Sequence, residues 1–122
     1  MTELHIVVPG NPVPKSRPRF TRSGRTYSVK SQVVHEDTIG WSLRAVLGHR
    51  RFEGPVHIHC LFVRKNRHAV DLDNLLKLVF DAANGVAWED DRQVVKAIAG
   101  IEVDRDNPRT EITISSAPPK EG

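Results

Sequence analysis

Along the chain, apolar side chains recur with two different periods, and the change from one to the other separates strands from helices. Leu4 to Val8 reads as a short strand, stopped by "PGNPVP", where three prolines and two turn formers exclude regular pairing. From about Ser31 to Leu47, Ile39, Leu43, Val46 and Leu47 recur at helical spacing without an interrupting proline, and Gly48 is the expected stop. Val56 to Val63 is apolar on both faces, which predicts a central strand. A second helix begins at Asp73 or Asn74 and runs to about Asn84, with Gly85 ending it. Leu75, Leu76, Leu78, Val79, Phe80, Ala82 and Ala83 form its broad apolar face, opposite Asp73, Lys77, Asp81 and Asn84. Val94 to Val103 is the next strand, "DRDNPR" a turn, and Thr110 to Ser115 the last strand.

This order, β-arm-α-β-α-β-β, predicts a single α+β domain over residues 1–116, a mixed sheet with two main helices packed on one face. A basic arm occupies about residues 10–30, where "TRSGRTY" around Gly24 is compatible with a small hairpin turn. Residues 117–122 are expected to be a flexible tail. Trp41 and Val34 fall away from the Ile39 stripe; they are either buried in the core or a surface for self-association.

Composition narrows the class without naming a function. At 39% hydrophobic and 27% charged, the 122 residues have the balance of an ordinary globular domain. No apolar run reaches the roughly 18 residues of a membrane span, and "MTELHIVVPG" lacks the features of a signal peptide, so a cytoplasmic location is expected. Cys60 is the single cysteine, excludes an internal disulfide, and reads as an inert buried thiol.

Charge distribution changes the picture more than the net charge of +3 does. "KSRPRFTRSGRTYSVK" carries Lys15, Arg17, Arg19, Arg22, Arg25 and Lys30 with no acid, interleaved with Phe20 and Tyr27. A second cluster, "RKNRH", brings Arg64, Lys65 and Arg67 to the start of an acidic region. Guanidinium and ammonium groups in such runs pair with phosphate oxygens and displace condensed counterions, which points to nucleic acid. A solvated loop would need no such concentration.

Between these cations and the third strand stand Asp71, Asp73, Asp81, Glu89, Asp90 and Asp91. If the chain is extended at "DLD", Asp71 and Asp73 leave one face together. A helix of about 15 Å followed by a segment that can reach about 25 Å allows Asp90 and Asp91 to return to that place. Crowded carboxylates repel unless a cation neutralises them, and an all-oxygen set favours Mg2+, or Mn2+ as substitute, over zinc. Beside phosphate-binding arms, such an ion fits phosphodiester hydrolysis, with Lys77 one helical turn past Asp73 and placed to lean over the site. Asp81, a further turn on, is expected to pair with Lys77 or to stay solvated. Acids at a helix start also serve as caps, and "DLDN" alone is open to that reading. His57 and His59 share a strand face and lack a third ligand, and Trp88 is either a stacking surface for a base or an anchor for the returning loop.

The combination of D-x-D, a lysine four residues later and an acidic pair some twenty residues on is more specific. "DLDNLLKLVFDAANGVAWEDDRQVV" closely resembles the signature of the RusA endodeoxyribonucleases, bacterial and phage Holliday junction resolvases. "PGNPVPKSRPRFTRSGRTYS" is similar to the N-terminal arm of the phage-type members, so the resemblance extends from about Ile6 to Ile114. It implies that Asp71, Asp73 and Asp91 hold Mg2+, with Asp90 assisting, that Lys77 is the active-site lysine, and that a homodimer nicks four-way junctions symmetrically. Two departures stand out: Ile101 aligns where some members carry a lysine, and Glu89 enlarges the acidic pair. The expected function is therefore a Mg2+-dependent junction resolvase in recombination and repair. The alternatives are a broader flap or fork nuclease, and an architectural protein that binds junctions without cutting.

Overall fold

A computed structural model describes residues 2–15 and 29–117 of the protein. Its elements are β1 (Glu3–Pro9), α1 (Val29–Leu47), β2 (Val56–Arg64), α2 (Leu72–Ala83), β3 (Val94–Val103) and β4 (Arg109–Ser116). A single 3-10 turn, Asp91–Gln93, precedes β3. The strands lie in the order β1-β4-β2-β3, with β4 antiparallel to both neighbours and β2 parallel to β3. The sheet is therefore mixed, and β2 is central as its two apolar faces predict.

Alternation explains how the sheet presents one face to the helices. Leu4, Ile6 and Val8 of β1, Val56, Ile58, Cys60 and Phe62 of β2, and Ile112 and Ile114 of β4 all turn inward. From α1, Ile39, Leu43 and Leu47 meet them at steps of four residues, and α2 adds Leu75, Leu78, Val79, Ala82 and Ala83. Each fully buried Leu or Ile contributes roughly 1.5–3 kcal/mol by leaving water, and Leu43→Ala would cost about 2–5 kcal/mol because a cavity remains. That stripe fills the side of α1 that faces the sheet. Trp41, about 200° around the helix from Ile39, is consequently 73% exposed, and Val34 lies on the surface with it. The core does not take them.

Chain reversals follow the expected chemistry. Gly48 and Gly85 adopt φ values of 62° and 79°, a region open to glycine without steric cost, and each lies just past a helix end. The Cys60 thiol is pushed up to about 12 by burial, in agreement with an inert core position.

Topology then fixes the ends of the molecule. Because β2 and β3 are parallel neighbours, α2 must carry the chain back along the sheet, from the end of β2 to the start of β3. Strand β1 runs in the same direction as β2, since both oppose β4, so α1 makes the same return journey. The N-termini of both helices thus lie at the carboxyl end of β1 and β2. Ligands of sheets with such crossovers bind at that end.

Candidate nucleic-acid interface and carboxylate site

Three hydrogen bonds organise this end of the sheet. The Gly10 amide donates to the Pro108 carbonyl (3.0 Å), the Lys65 amide to Asn11 Oδ1 (2.9 Å), and the Lys15 amide to the Asn74 carbonyl (2.9 Å). Residues 10–15 are thereby strapped to the loop 65–71 and to the first turn of α2. The chain enters the basic stretch 16–28 beside that turn. Two helix N-termini, each carrying partial positive charge, add to the attraction for phosphate.

At the start of α2, Asp71 occupies the N-cap position with extended φ and ψ of −84° and 123°, yet its side chain makes no capping hydrogen bond. Among the described residues its carboxylate accepts from Asn74 Nδ2, at 3.3 Å. The capping role that would explain an acid here by stability alone is not used. Asp73 lies inside the first turn and is exposed, as is Asp71. Since the helix begins at Leu72, the two acids do not leave one face of a strand; they stand two positions apart at the helix start, Asp71 at the N-cap and Asp73 second in the helix, a spacing that helical geometry does not bring to one face.

The cations divide into groups that sequence alone does not separate. Lys65 and Arg67 are exposed in the loop before Asp71, and Lys30 is exposed in the first turn of α1. Arg64, expected on the surface, is 3% exposed, and its Nη1 donates to the His68 carbonyl. It continues the inward alternation of Val56, Ile58, Cys60 and Phe62, and so braces the loop that presents Asp71. Lys15 is also drawn away from solvent: its Nζ lies 2.9 Å from Glu36 and 3.2 Å from Asp81, bridging α1 to α2. The hydrogen bond to Glu36, with the bond to Asp81 and the charge of both acids, raises the Lys15 pKa against the opposing effect of desolvation. Asp81 therefore pairs with Lys15 rather than Lys77, and Lys77 stands exposed without an ion pair among the described residues. Arg17, Arg19, Arg22 and Arg25 lie outside the described residues.

Asp90 and Asp91 take the other end of α2. The chain after Ala83 does not return to Asp71: Trp88 bridges back to Asn84, and the Phe52 amide donates to the Ala87 carbonyl (2.8 Å) before β2 begins. Trp88 is completely buried, edge-on to Phe80 at 6.4 Å, and its Nε1 donates to Asp91 Oδ1 at 2.7 Å. It is an anchor and offers no face to a base. Asp90 accepts from the Arg92 amide (2.8 Å), a bond that lowers its pKa, while Gln93 Oε1 accepts from the amides of Glu89 and Asp90. Gln93 Nε2 donates to the carbonyls of Phe52 and Gly54, both at 2.9 Å, which clamps the turn to the beginning of β2. The D-x-x-Q spacing of a capping box was the sequence signal for this arrangement.

The two pairs of acids are thus divided by the 12 residues of α2, roughly 18 Å of helix. Among the described residues no three His, Cys, Asp or Glu side chains converge to hold a metal ion, so a divalent cation does not fit the full acid set within one copy of the chain. His57 and His59 gain no third partner either. Glu89 and Ile101 are both exposed, the latter on β3. Among the described residues no helix is long and apolar enough to cross a membrane.

A search of curated proteins gives no match to the chain. The family profile "Endodeoxyribonuclease RusA", however, matches residues 9–115, which takes in the strapped segment at the arm's root, both helices, all six acids between Asp71 and Asp91, and β4 almost to its end. A match over that much of the sequence places this chain in the RusA family of endodeoxyribonucleases, hydrolases that act on crossover junctions.

Proposed function

We propose that the protein resolves four-way DNA junctions by paired, symmetric phosphodiester hydrolysis, as a homodimer that requires Mg2+. The observation that carries the reading is Asp71: an exposed carboxylate at a helix N-terminus that performs no capping, next to Asp73, Lys65, Arg67 and the root of the basic arm. Carboxylates amid phosphate-binding cations suit a site where DNA is held and a cation is recruited, since the ion cancels repulsion between acid and phosphate. Lys77, on the same helix and without an ion pair among the described residues, is the group assigned to the scissile phosphate. Asp91, with Asp90 beside it, stands at the other end of α2, and joins that acid set only across the homodimer. A junction has two-fold symmetry, and two equivalent sites related by a two-fold axis match it.

The test is incubation of the purified protein with labelled four-way junction, flap and linear duplex, with Mg2+ or with chelator. Paired nicks in the junction, dependent on Mg2+ and absent from linear duplex, are the expected result. Equal cutting of flaps would replace junction resolution with a broader branched-DNA activity. Binding without cutting over a range of divalent ions would leave an architectural protein.

A further inference from the structure

One side-chain amide, that of Gln93, makes four hydrogen bonds. Its Oε1 accepts from the amides of Glu89 (2.9 Å) and Asp90 (3.2 Å), and its Nε2 donates to the carbonyls of Phe52 and Gly54, both at 2.9 Å. A primary amide has two lone pairs and two N–H groups, so its whole capacity is used. Glutamate would keep the acceptors and lose both donors, methionine would keep the length and lose every bond, and asparagine would fall one carbon short. Chemistry rather than size therefore specifies this half-buried position.

The groups joined by the amide surround a single acid. Glu89 and Asp90 are the two residues before Asp91, and the Gln93 backbone amide closes the turn by donating to the Asp90 carbonyl (3.0 Å). The backbone on both sides of Asp91 is thereby bolted to a segment 39 to 41 positions earlier in the chain. The Asp91 carboxylate has a separate hold, the bond from Trp88 Nε1 at 2.7 Å. That bond limits the rotation of the carboxylate, and Gln93 limits the movement of the backbone that carries it. Gly54 contributes through its conformation. Its φ of 74° lies where side chains are rarely found, whereas a Cβ added there would meet no atom within 4 Å. Backbone geometry, not crowding, requires glycine at the point where its carbonyl meets Gln93.

We infer that Gln93 is a positioning residue for Asp91, and that the connection between α1 and β2 is the support against which it works, through the carbonyls of Phe52 and Gly54. Neither contacts DNA or a metal ion; both act through the placement of the Asp91 carboxylate. A displacement of about an ångström at a reacting centre can lower a rate by about 100-fold. The consequence for cutting rests on the proposed nuclease function, which assigns Asp91 to the acid set; the consequence for geometry does not.

The experiment compares the wild type with Gln93→Met, Gln93→Glu and Gly54→Val at a temperature where circular dichroism shows each protein folded. Geometry is read from the indole N–H resonance of Trp88 in a nitrogen–proton NMR spectrum, assigned by its persistence in Trp41→Phe. In all three variants it is expected to move upfield, as the bond to Asp91 lengthens. Function is read from single-turnover cleavage of a four-way junction as Mg2+ is raised, beside junction affinity in chelator. The variants are expected to need severalfold more Mg2+ for half-maximal cutting and to cut about tenfold or more slowly at the wild-type midpoint. Junction affinity is expected to stay within about twofold of the wild type, because positioning is lost and DNA binding is not. Were Gln93 only a stabiliser, melting temperature would fall while the indole resonance and the Mg2+ midpoint kept their wild-type values, and that result overturns the inference. If Gln93→Met does not fold, Gly54→Val, which leaves every side chain of the turn intact, decides by the same readouts. Wild-type values in Gln93→Glu, which retains the bonds to Glu89 and Asp90, would overturn the role of Phe52 and Gly54. A wild type that cuts no branched DNA overturns the nuclease reading, and the indole resonance then still decides whether Gln93 places Asp91.

Discussion

The indole Nε1 of Trp88 donates to Oδ1 of Asp91 across 2.7 Å, and this bond joins a fully buried ring to an acid at the edge of solvent. It ties the orientation of Asp91 to the packing of the core at the C-terminal end of α2. Trp88→Phe would keep most of the apolar volume against Phe80 and remove the donor. The loss is expected to cost about 1.5–3 kcal/mol, the range for a hydrogen bond to a charged group. Cutting should fall further than stability does, because the carboxylate is freed to rotate; melting temperature and cleavage rate, measured on one preparation, check the split.

Asp71→Asn preserves size and the contact with Asn74 but removes the charge. Affinity for a four-way junction should be retained or rise, since one repulsion with phosphate disappears. Cleavage should drop by about 100-fold or more, as a bound divalent ion supplies several kcal/mol of transition-state stabilisation. Gel-shift titration in chelator beside single-turnover cleavage in Mg2+ separates the two quantities.

Lys15 predicts a pH dependence. Its folded pKa is raised above 10.5 by the hydrogen bond to Glu36 and by Asp81, so the bridge between α1 and α2 contributes in full below 10.5 and fades as pH rises through the folded value. Lys15→Met should cost no more than about 1 kcal/mol at neutral pH, since the pair is partly exposed. Urea unfolding of both proteins from pH 8 upward should show their difference shrinking at the alkaline end.

The arm supplies a prediction through ionic strength. Replacing Arg17 and Arg19 by alanine removes two phosphate partners and should reduce the slope of log affinity against log salt by about 1.8 on duplex arms. Unchanged affinity and slope would take the arm out of the binding surface.

Much of the fold was legible because burial imposes a period. The inward rows of β1 and β2 could be read directly, as could Ile39, Leu43 and Leu47 of the α1 stripe, whereas Val46, expected with them, is exposed; the observed elements agree in extent to within about two residues. The apolar stretch of α2 was equally clear, although its first turn begins at Leu72, a residue whose side chain takes no part in the core. What could not be read was the direction of a segment long enough to go either way. Chain length allowed residues 85–91 to reach Asp71, but Trp88 finds its pocket against Phe80, and Gln93 clamps the turn to Phe52 and Gly54. Arg64 was legible in principle, since it keeps the inward alternation of β2, yet charge suggested surface. Lys15 carried no such mark; its partners Glu36 and Asp81 come from two different helices and meet only after packing.

The open side of β3 also bears on how the protein is made. While a chain is newly synthesised, ten residues rich in valine and isoleucine stand ready to stack with any unfolded neighbour into aggregated sheet. Lys96 and Glu102 are the only charges in that strand, one toward each end, and charges in such a strand oppose unspecific stacking. The yield of soluble protein during overproduction should therefore be sensitive to neutral replacements at these two positions.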